Sequence, residues 1–320
     1  MPQVNIFCQA SFTLGMGHLA RQIHIAKELR KHNADTTFFV PEYSTAIEAL
    51  KQHNLSYSII EGFDSALKVE TRKADVTILD IKDTSLPFID DLKIQTKKIV
   101  SFEDQGEGRN HVDILIDCNL NLADAKKVSK SVKTLFGLPY AVLASEFENF
   151  NLEKRNFPER IQTLLITFGG TDPHNITLDL LKHIPNSFKT TIIVGAGFQN
   201  QNAFQELDKN HIRILKNVQD MAQALANHDA VFCSGGVTLH EAMCVGTPAF
   251  VISQVEHQED KAKAAETAGA AINLGRANSW GSHRLDEILA LNKESLQAMS
   301  DSGKKSIDGK GLKRVVENIL

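Results

Sequence analysis

The chain has 320 residues, 42% hydrophobic and 23% charged, which excludes a mainly disordered polymer and supplies enough apolar material for large cores. Thirty-five Lys and Arg face thirty-nine Asp and Glu, a net charge of −4, so no global basic field points to nucleic acid as a partner. At ~100–200 residues per domain, two domains are expected.

The first basic residue is Arg21, so the apolar start Met1–Phe12 lacks the positive segment of a secretory signal. No apolar run approaches the ~18 residues of a membrane span. Cys8, Cys118, Cys233 and Cys244 are scattered without a CxxC pair, and the twelve histidines include no HExxH. These features predict a reduced, cytoplasmic protein without a zinc site. The sequons Asn54-Leu-Ser56 and Asn175-Ile-Thr177 would then go unused.

Along the chain, Val4–Ala10 reads as a first strand, and Gly17–Lys31 as a helix with Leu19, Ile23, Ala26 and Leu29 on its apolar stripe. Thr36–Val40 is a second strand ended by Pro41, and Ser44 opens a helix to about His53. Tyr57–Ile60, Val76–Asp80, Lys98–Phe102 and Ile114–Asp117 follow as short strands, with helical patterns between them. The alternation weakens between Asn119 and Arg160, which places a domain boundary near residue 155. It restarts with the strand Leu164–Phe168, then the helix Ile176–His183 capped by Asn175. Thr190–Val194, Ile212–Leu215, Ala230–Cys233 and Ala249–Ile252 are further strands, with the helix Val237–Val245 between the last two. Lys304–Leu320 reads as a closing helix, packing back on the first domain through Leu312, Val315, Val316 and Ile319. The pattern predicts an α/β fold of two Rossmann-like domains, residues 1–155 and 156–303, with parallel sheets facing a central cleft and ligands beyond the strand C-termini.

Three loops have the composition for chemistry. Gly15-Met-Gly17-His18-Leu-Ala20 formally matches the dinucleotide fingerprint GxGxxA, with Glu42 beyond the second strand as a ribose acid. A dehydrogenase is therefore one reading, opposed by the four residues Ser11–Leu14 between strand and first glycine. His18 starts a helix, where the dipole disfavours an imidazolium and suits a neutral general base; a polar helix-start residue without chemistry is the alternative. In the second loop, Gly169-Gly170-Thr171-Asp172-Pro173, two glycines either expose N–H groups to an anion or simply make a tight turn. In the third, the N–H groups and hydroxyls of Ser234-Gly235-Gly236-Val237-Thr238 would converge on a phosphate at a helix N-terminus. Glu241 there would accept both ribose hydroxyls, or merely complement the dipole. No P-loop occurs, and Glu103-Asp104 is the nearest approach to a metal-binding DxD.

Taken in order, Gly15-Met-Gly17-His18-Leu-Ala-Arg21, Leu135-Phe-Gly137-Leu-Pro-Tyr140 with Glu146-Phe147, Phe168-Gly-Gly-Thr-Asp-Pro173, and Ser234-Gly-Gly236 through Glu241 and Gly246-Thr-Pro248 cover nearly the whole chain. They resemble the UDP-sugar hydrolases of pseudaminic acid biosynthesis and the spore-coat polysaccharide proteins. More distantly, the chain is similar to the GlcNAc transferase that makes lipid II. The resemblance implies a GT-B fold and an enzyme that cleaves the anomeric C–O bond of a UDP-sugar, with water or a glycan or lipid acceptor. It implies His18 as base, flanked by Gly17 and Arg21. Gly170, Ser234, Gly235, Gly236, Val237 and Thr238 would hold the diphosphate, Glu241 the ribose, and Asn217–Met221 the base. His257 and Gln258 match an Asn-Gln pair, with His in place of Asn. No metal or cofactor is implied. Two departures stand out: Asp80-Ile81-Lys82 replaces a D-x-Y pattern, and Glu103-Asp104 replaces paired aspartates. A sugar-nucleotide-binding protein without catalysis is a further alternative.

Overall fold

The apolar runs of the first half become seven parallel strands. They are β1 (Gln3–Cys8), β2 (Asp35–Pro41), β3 (Ser56–Ile60), β4 (Ala74–Asp80), β5 (Thr96–Phe102), β6 (Ile114–Asp117) and β7 (Lys133–Phe136), in the sheet order β3-β2-β1-β4-β5-β6-β7. Six more form a second parallel sheet: β8 (Thr163–Thr167), β9 (Lys189–Val194), β10 (Ile212–Lys216), β11 (Ala230–Cys233), β12 (Ala249–Ser253) and β13 (Ala271–Arg276), in the order β10-β9-β8-β11-β12-β13. These come from a computed structural model that describes residues 1–11, 14–63, 73–119, 122–195, 198, 210–216, 218 and 220–320.

Both sheets are doubly wound. The first grows outward from β1 through β2 to β3, then resumes on the other side of β1 at β4. The second does the same around β8, which pairs β9 on one side and β11 on the other. At such reversals the two flanking loops diverge, leaving a crevice at the strand C-termini. Strands beside the reversals are buried on both faces, which explains their continuous apolar sequences: every residue of β11 and β12 is buried.

The chain divides into two compact units, Met1–Ser145 with Lys310–Leu320, and Glu146–Gly309. In the first, one face of the sheet packs Ile6, Phe38 and Ile78 under the stripe Leu19, Ile23, Ala26 and Leu29 of the helix Gly17–Lys31. The other face carries Phe7 stacked on Phe39 at 4.7 Å. In the second unit, Phe168, Phe232 and Phe250 anchor the core.

Several elements differ from the sequence pattern. The boundary falls ten residues earlier than the pattern places it, because the helix Phe147–Leu152 packs on the helix Val237–Val245 of the second unit. Asn151 Nδ2 fixes it there, donating to the carbonyls of Cys244, Lys304 and Ile307. The tail is not one helix. Lys293–Ser306 is helical and belongs to the second unit, and only Gly311–Ile319 packs on the first. Gly309, at φ +75°, turns the chain between them. The residues expected on the closing face, Leu312, Val315, Val316 and Ile319, are the ones buried. β7 and β13 are strands that the pattern did not single out.

Gly311 opens that last helix hard against the backbone of Ala141, where a Cβ would overlap the carbonyl. Gly311→Ala is therefore expected to cost about 1–3 kcal/mol, as overpacking does. Thermal unfolding of the variant measures this, and an unchanged Tm would contradict the docking described.

Candidate active site at two sheet reversals

In the first unit the loop after β1 and the end of β4 flank the reversal. Gly15, at φ +78° with open space around it, bends the loop back through an N–H to Ser11 O bond of 2.8 Å. The helix then starts at Gly17, with no side chain capping its N-terminus and no acid in its first turn. His18 is its second residue. Its Nδ1 lies 2.6 Å from Oδ1 of Asp80, the last residue of β4. The side chains are 25% and 0% exposed, so the carboxylate is sealed while the ring still reaches solvent.

Asp80 is the hub of this unit's site. Arg21 donates to it side-on, Nε to Oδ2 at 3.0 Å and Nη2 to Oδ1 at 2.7 Å. Gln22 Nε2 adds a bond to Oδ2 at 2.7 Å. Burial alone would raise the Asp80 carboxyl. The charges of Arg21 and His18 and their hydrogen bonds outweigh it and hold the group below the ordinary carboxylate range. An ionised carboxylate only accepts, so at this distance Nδ1 carries the proton and the Nε2 lone pair is left for chemistry. Arg21 Nη2, 3.3 Å from Nδ1, is a donor and cannot take the Nδ1 proton, so the carboxylate at 2.6 Å is its acceptor. The ring thus sits between a helix N-terminus and a carboxylate.

Arg21 also reaches Glu103 Oε1 through Nη1 at 2.8 Å, and its guanidinium lies over the Phe102 ring. Asn119 Nδ2 donates to the same oxygen at 2.8 Å. Arg21 therefore spends its donors on two acids of this unit. Asp104, its neighbour, takes the Thr84 hydroxyl and amide, the Gly106 amide and the Ser101 hydroxyl. Burial raises its carboxyl even so, and its role is to fold the turn. Lys82 stands exposed two residues beyond Asp80, its N–H donating to Gln9 Oε1 at 3.3 Å.

In the second unit the reversal lies between β8 and β11. The helix Val237–Val245 follows β11, and its N-cap is Gly236, which has no side chain to satisfy the first-turn N–H groups. Gly235 has no room for a Cβ, which would overlap the carbonyl of Gln258. Gly236 leaves the helix N-terminus open, with Ser234 Oγ and Gln258 Nε2 nearby. Ser234, Gly235, Gly236, Val237, Thr238 and Gln258 are thus brought together. Thr238 hydrogen-bonds Glu241, so its hydroxyl serves the acid rather than standing free for a phosphate. Burial first, and then the Glu146 charge, push the Glu241 carboxyl up to about 7, against the pull of Thr238.

Gly170 sits at the same sheet edge, on the loop after β8, and Gly195 can approach it only because it lacks a Cβ. Asn175 holds the N-cap position of the following helix, but its side chain makes no capping hydrogen bond. Asn175 is left-handed, at φ +52°, and Asp172 supplies the cap, accepting from Ile176 N at 3.0 Å and Thr177 N at 2.9 Å. A carboxylate on that N-terminus excludes an anion from it, so Ser234–Thr238 is the better receptor. His257 is exposed on the first turn of the helix Glu256–Thr267. Met221 starts the helix after the edge strand β10, two strands from β8. Residues 217 and 219 of the expected base pocket lie outside the described residues. Among the described residues, no group of three His, Cys, Asp or Glu could hold a metal ion.

Sequence reasoning missed Asp80, Gln22 and Glu103 as partners of His18 and Arg21. The signal was available: an acid ends the apolar run of β4, and a doubly wound sheet puts that strand beside β1.

The model of the glycosyltransferase family 28 C-terminal domain matches residues 165–318. The spore coat polysaccharide biosynthesis protein SpsG of Bacillus subtilis is 26% identical over 98% of this chain and 96% of its own length. A UDP-2,4-diacetamido-2,4,6-trideoxy-beta-L-altropyranose hydrolase of Campylobacter jejuni is 24% identical over 79% of this chain and 92% of its own. The uncharacterized protein MJ1062 of Methanocaldococcus jannaschii is 28% identical over 81% of the chain, which spans only 57% of that protein. The crystal structure of Acinetobacter baumannii MurG superposes with a TM-score of 0.67 at 15% identity, covering 100% of this chain and 99% of that one. The resemblance read from the motifs is therefore borne out among relatives.

Two predictions follow the geometry. Asp80→Asn keeps the shape but offers an amide, so Nδ1 loses its fixed acceptor; thermal unfolding across pH reads the rest. The lowered Asp80 carboxyl contributes stability above ~4, its unfolded value, and loses it as pH falls through the folded value. The variant should be less stable near neutrality and lack that acid-side loss. Glu241 has the opposite sign. With its folded value at about 7 against 4.5 ordinarily, the folded state holds the extra proton between them, so stability falls as pH rises through that window. Glu241→Gln should flatten this fall, and an unchanged pH profile of Tm would refute it.

The fold is α/β of the GT-B type, two Rossmann-like units with structural neighbours among glycosyltransferases such as MurG.

Proposed function

We propose that the protein processes a nucleotide sugar for surface-glycan or nonulosonic acid biosynthesis, cleaving the anomeric C–O bond of a UDP-linked amino or deoxy sugar and passing the glycosyl group to water. One observation carries this reading: the sealed Asp80 carboxylate at 2.6 Å from His18 Nδ1, which leaves Nε2 as a base at a sheet reversal. The hydrolase relative supports water as the acceptor.

In this reading His18 Nε2 takes a proton from water as the water oxygen bonds to C1. The C1–O bond breaks, and its electron pair leaves on the β-phosphate oxygen of UDP. Charge growing there is met by the first-turn N–H groups after Gly236, fixed dipoles that need no reorganisation. Ser234, Gly235, Gly236, Val237, the Thr238 N–H, Gly170 and the Gln258 amide receive the diphosphate, Glu241 the ribose, Met221 the base, and His257 the sugar side. Gly17 keeps the approach to His18 open, and Arg21 acts by holding Asp80 and Glu103. The reading assigns no metal to the step and places it in the cytoplasm, in keeping with four free, buried cysteines. No helix among the described residues is long and apolar enough to cross a membrane.

A second reading, transfer of the sugar to a carbohydrate or lipid acceptor, is favoured by the glycosyltransferase family 28 match over residues 165–318. UDP release from a panel of UDP-sugars separates the two. Hydrolysis predicts UDP without any acceptor, undiminished by EDTA. Turnover only when an acceptor is added would replace it with transfer. His18→Ala should lower kcat by about 10²–10⁴-fold, and Asp80→Asn should lower kcat with little change in KM. Full activity in His18→Ala would remove the base.

A further inference from the structure

The corner after β11 is held by a side chain that none of the motifs includes. Gln254 directly follows β12, and its Nε2 donates to the carbonyl of Phe168 at 2.6 Å. That carbonyl is the last before Gly169-Gly170. In the same residue the backbone N–H donates to Gln258 Oε1 at 2.9 Å. β11 lies between β8 and β12, so one glutamine ties the two outer loops together beside the loop that carries Ser234-Gly235-Gly236.

The second bond has a chemical consequence. With Oε1 of Gln258 engaged as an acceptor, its Nε2 is the end that donates elsewhere. That nitrogen stands beside the helix N-terminus, 3.9 Å from where a Cβ on Gly236 would lie. Gly235 completes the lock, since any side chain there would overlap the Gln258 carbonyl. Three loops with separate strand origins are thereby fixed into one corner, before any ligand arrives. Preorganised donors of this kind bind a charged group more tightly than donors that must first be ordered.

We infer that Gln254 is a positioning residue for the diphosphate: it sets the Phe168–Gly170 backbone and aims Gln258 Nε2 at the corner where phosphate oxygens are received. The inference rests on the UDP reading above. It confines the contribution of Gln254 to the phosphates and gives it no part in holding uracil or ribose.

Gln254→Met keeps length and bulk without the donor, and Gln254→Glu replaces the donor by an acceptor. UDP affinity is measured by calorimetry and uridine affinity by ligand-observed NMR, for both variants and the unaltered protein, with Tm recorded alongside. The expected result is UDP binding weakened about three- to tenfold, the value of one hydrogen bond, with uridine binding unchanged. A general loosening of the fold would weaken both ligands alike, and that outcome overturns the inference. So does UDP affinity unaltered in both variants while the unaltered protein binds UDP. An unaltered protein that binds no UDP would instead remove the UDP reading itself, and this inference with it.

Discussion

The chemistry proposed for the first unit depends on one hydrogen bond, from His18 Nδ1 to a buried carboxylate. Asp80 is fully buried and takes four donors: His18 Nδ1, two nitrogens of Arg21 and the Gln22 amide. A buried carboxylate is tolerated only when it is paired and hydrogen-bonded. Here the Arg21 guanidinium offsets its charge, and Glu103 in turn takes up the remaining arm of Arg21. Each group in the chain Glu103–Arg21–Asp80–His18 fixes the orientation of the next. The ring at the end is left with one choice of protonated nitrogen and one lone pair.

The second unit, in the proposed reading, receives negative charge by leaving side chains out. Gly236 offers no capping side chain to the first turn of the helix Val237–Val245, and Gly235, lacking a Cβ, lets the Gln258 carbonyl come close. The loop after β8 looks similar in sequence but is closed by the Asp172 carboxylate. Glu241, with its carboxyl pushed up to about 7, is poised to gain or lose a proton within the physiological range.

The doubly wound character was legible because strands buried on both faces leave continuous apolar runs, as in β11 and β12. β7 was hidden because Lys133–Phe136 is a short edge strand of mixed exposure, inside a stretch broken by Gly137 and Pro139. β13 was hidden for a similar reason, since Ala271–Arg276 buries only Ala271 and Leu274. His18 could be read from its place at a helix start. Its partner was missed, because Asp80 lies sixty-two residues away and meets it only through the pairing of β1 with β4, which takes the strand order to see. Asn175 misled as a cap because its composition suits the role, while the loop's left-handed turns hand the N–H groups to Asp172. Local residue type gave the candidates, and non-local strand order decided which of them come together.

The protonated nitrogen of His18 is the most direct test of this account. Nitrogen-15 NMR of the histidine rings at alkaline pH, assigned with a His18→Ala control, distinguishes the two tautomers. The account predicts a proton on Nδ1 and a bare Nε2, with that preference lost in Asp80→Asn. A proton on Nε2 in the unaltered protein would contradict it.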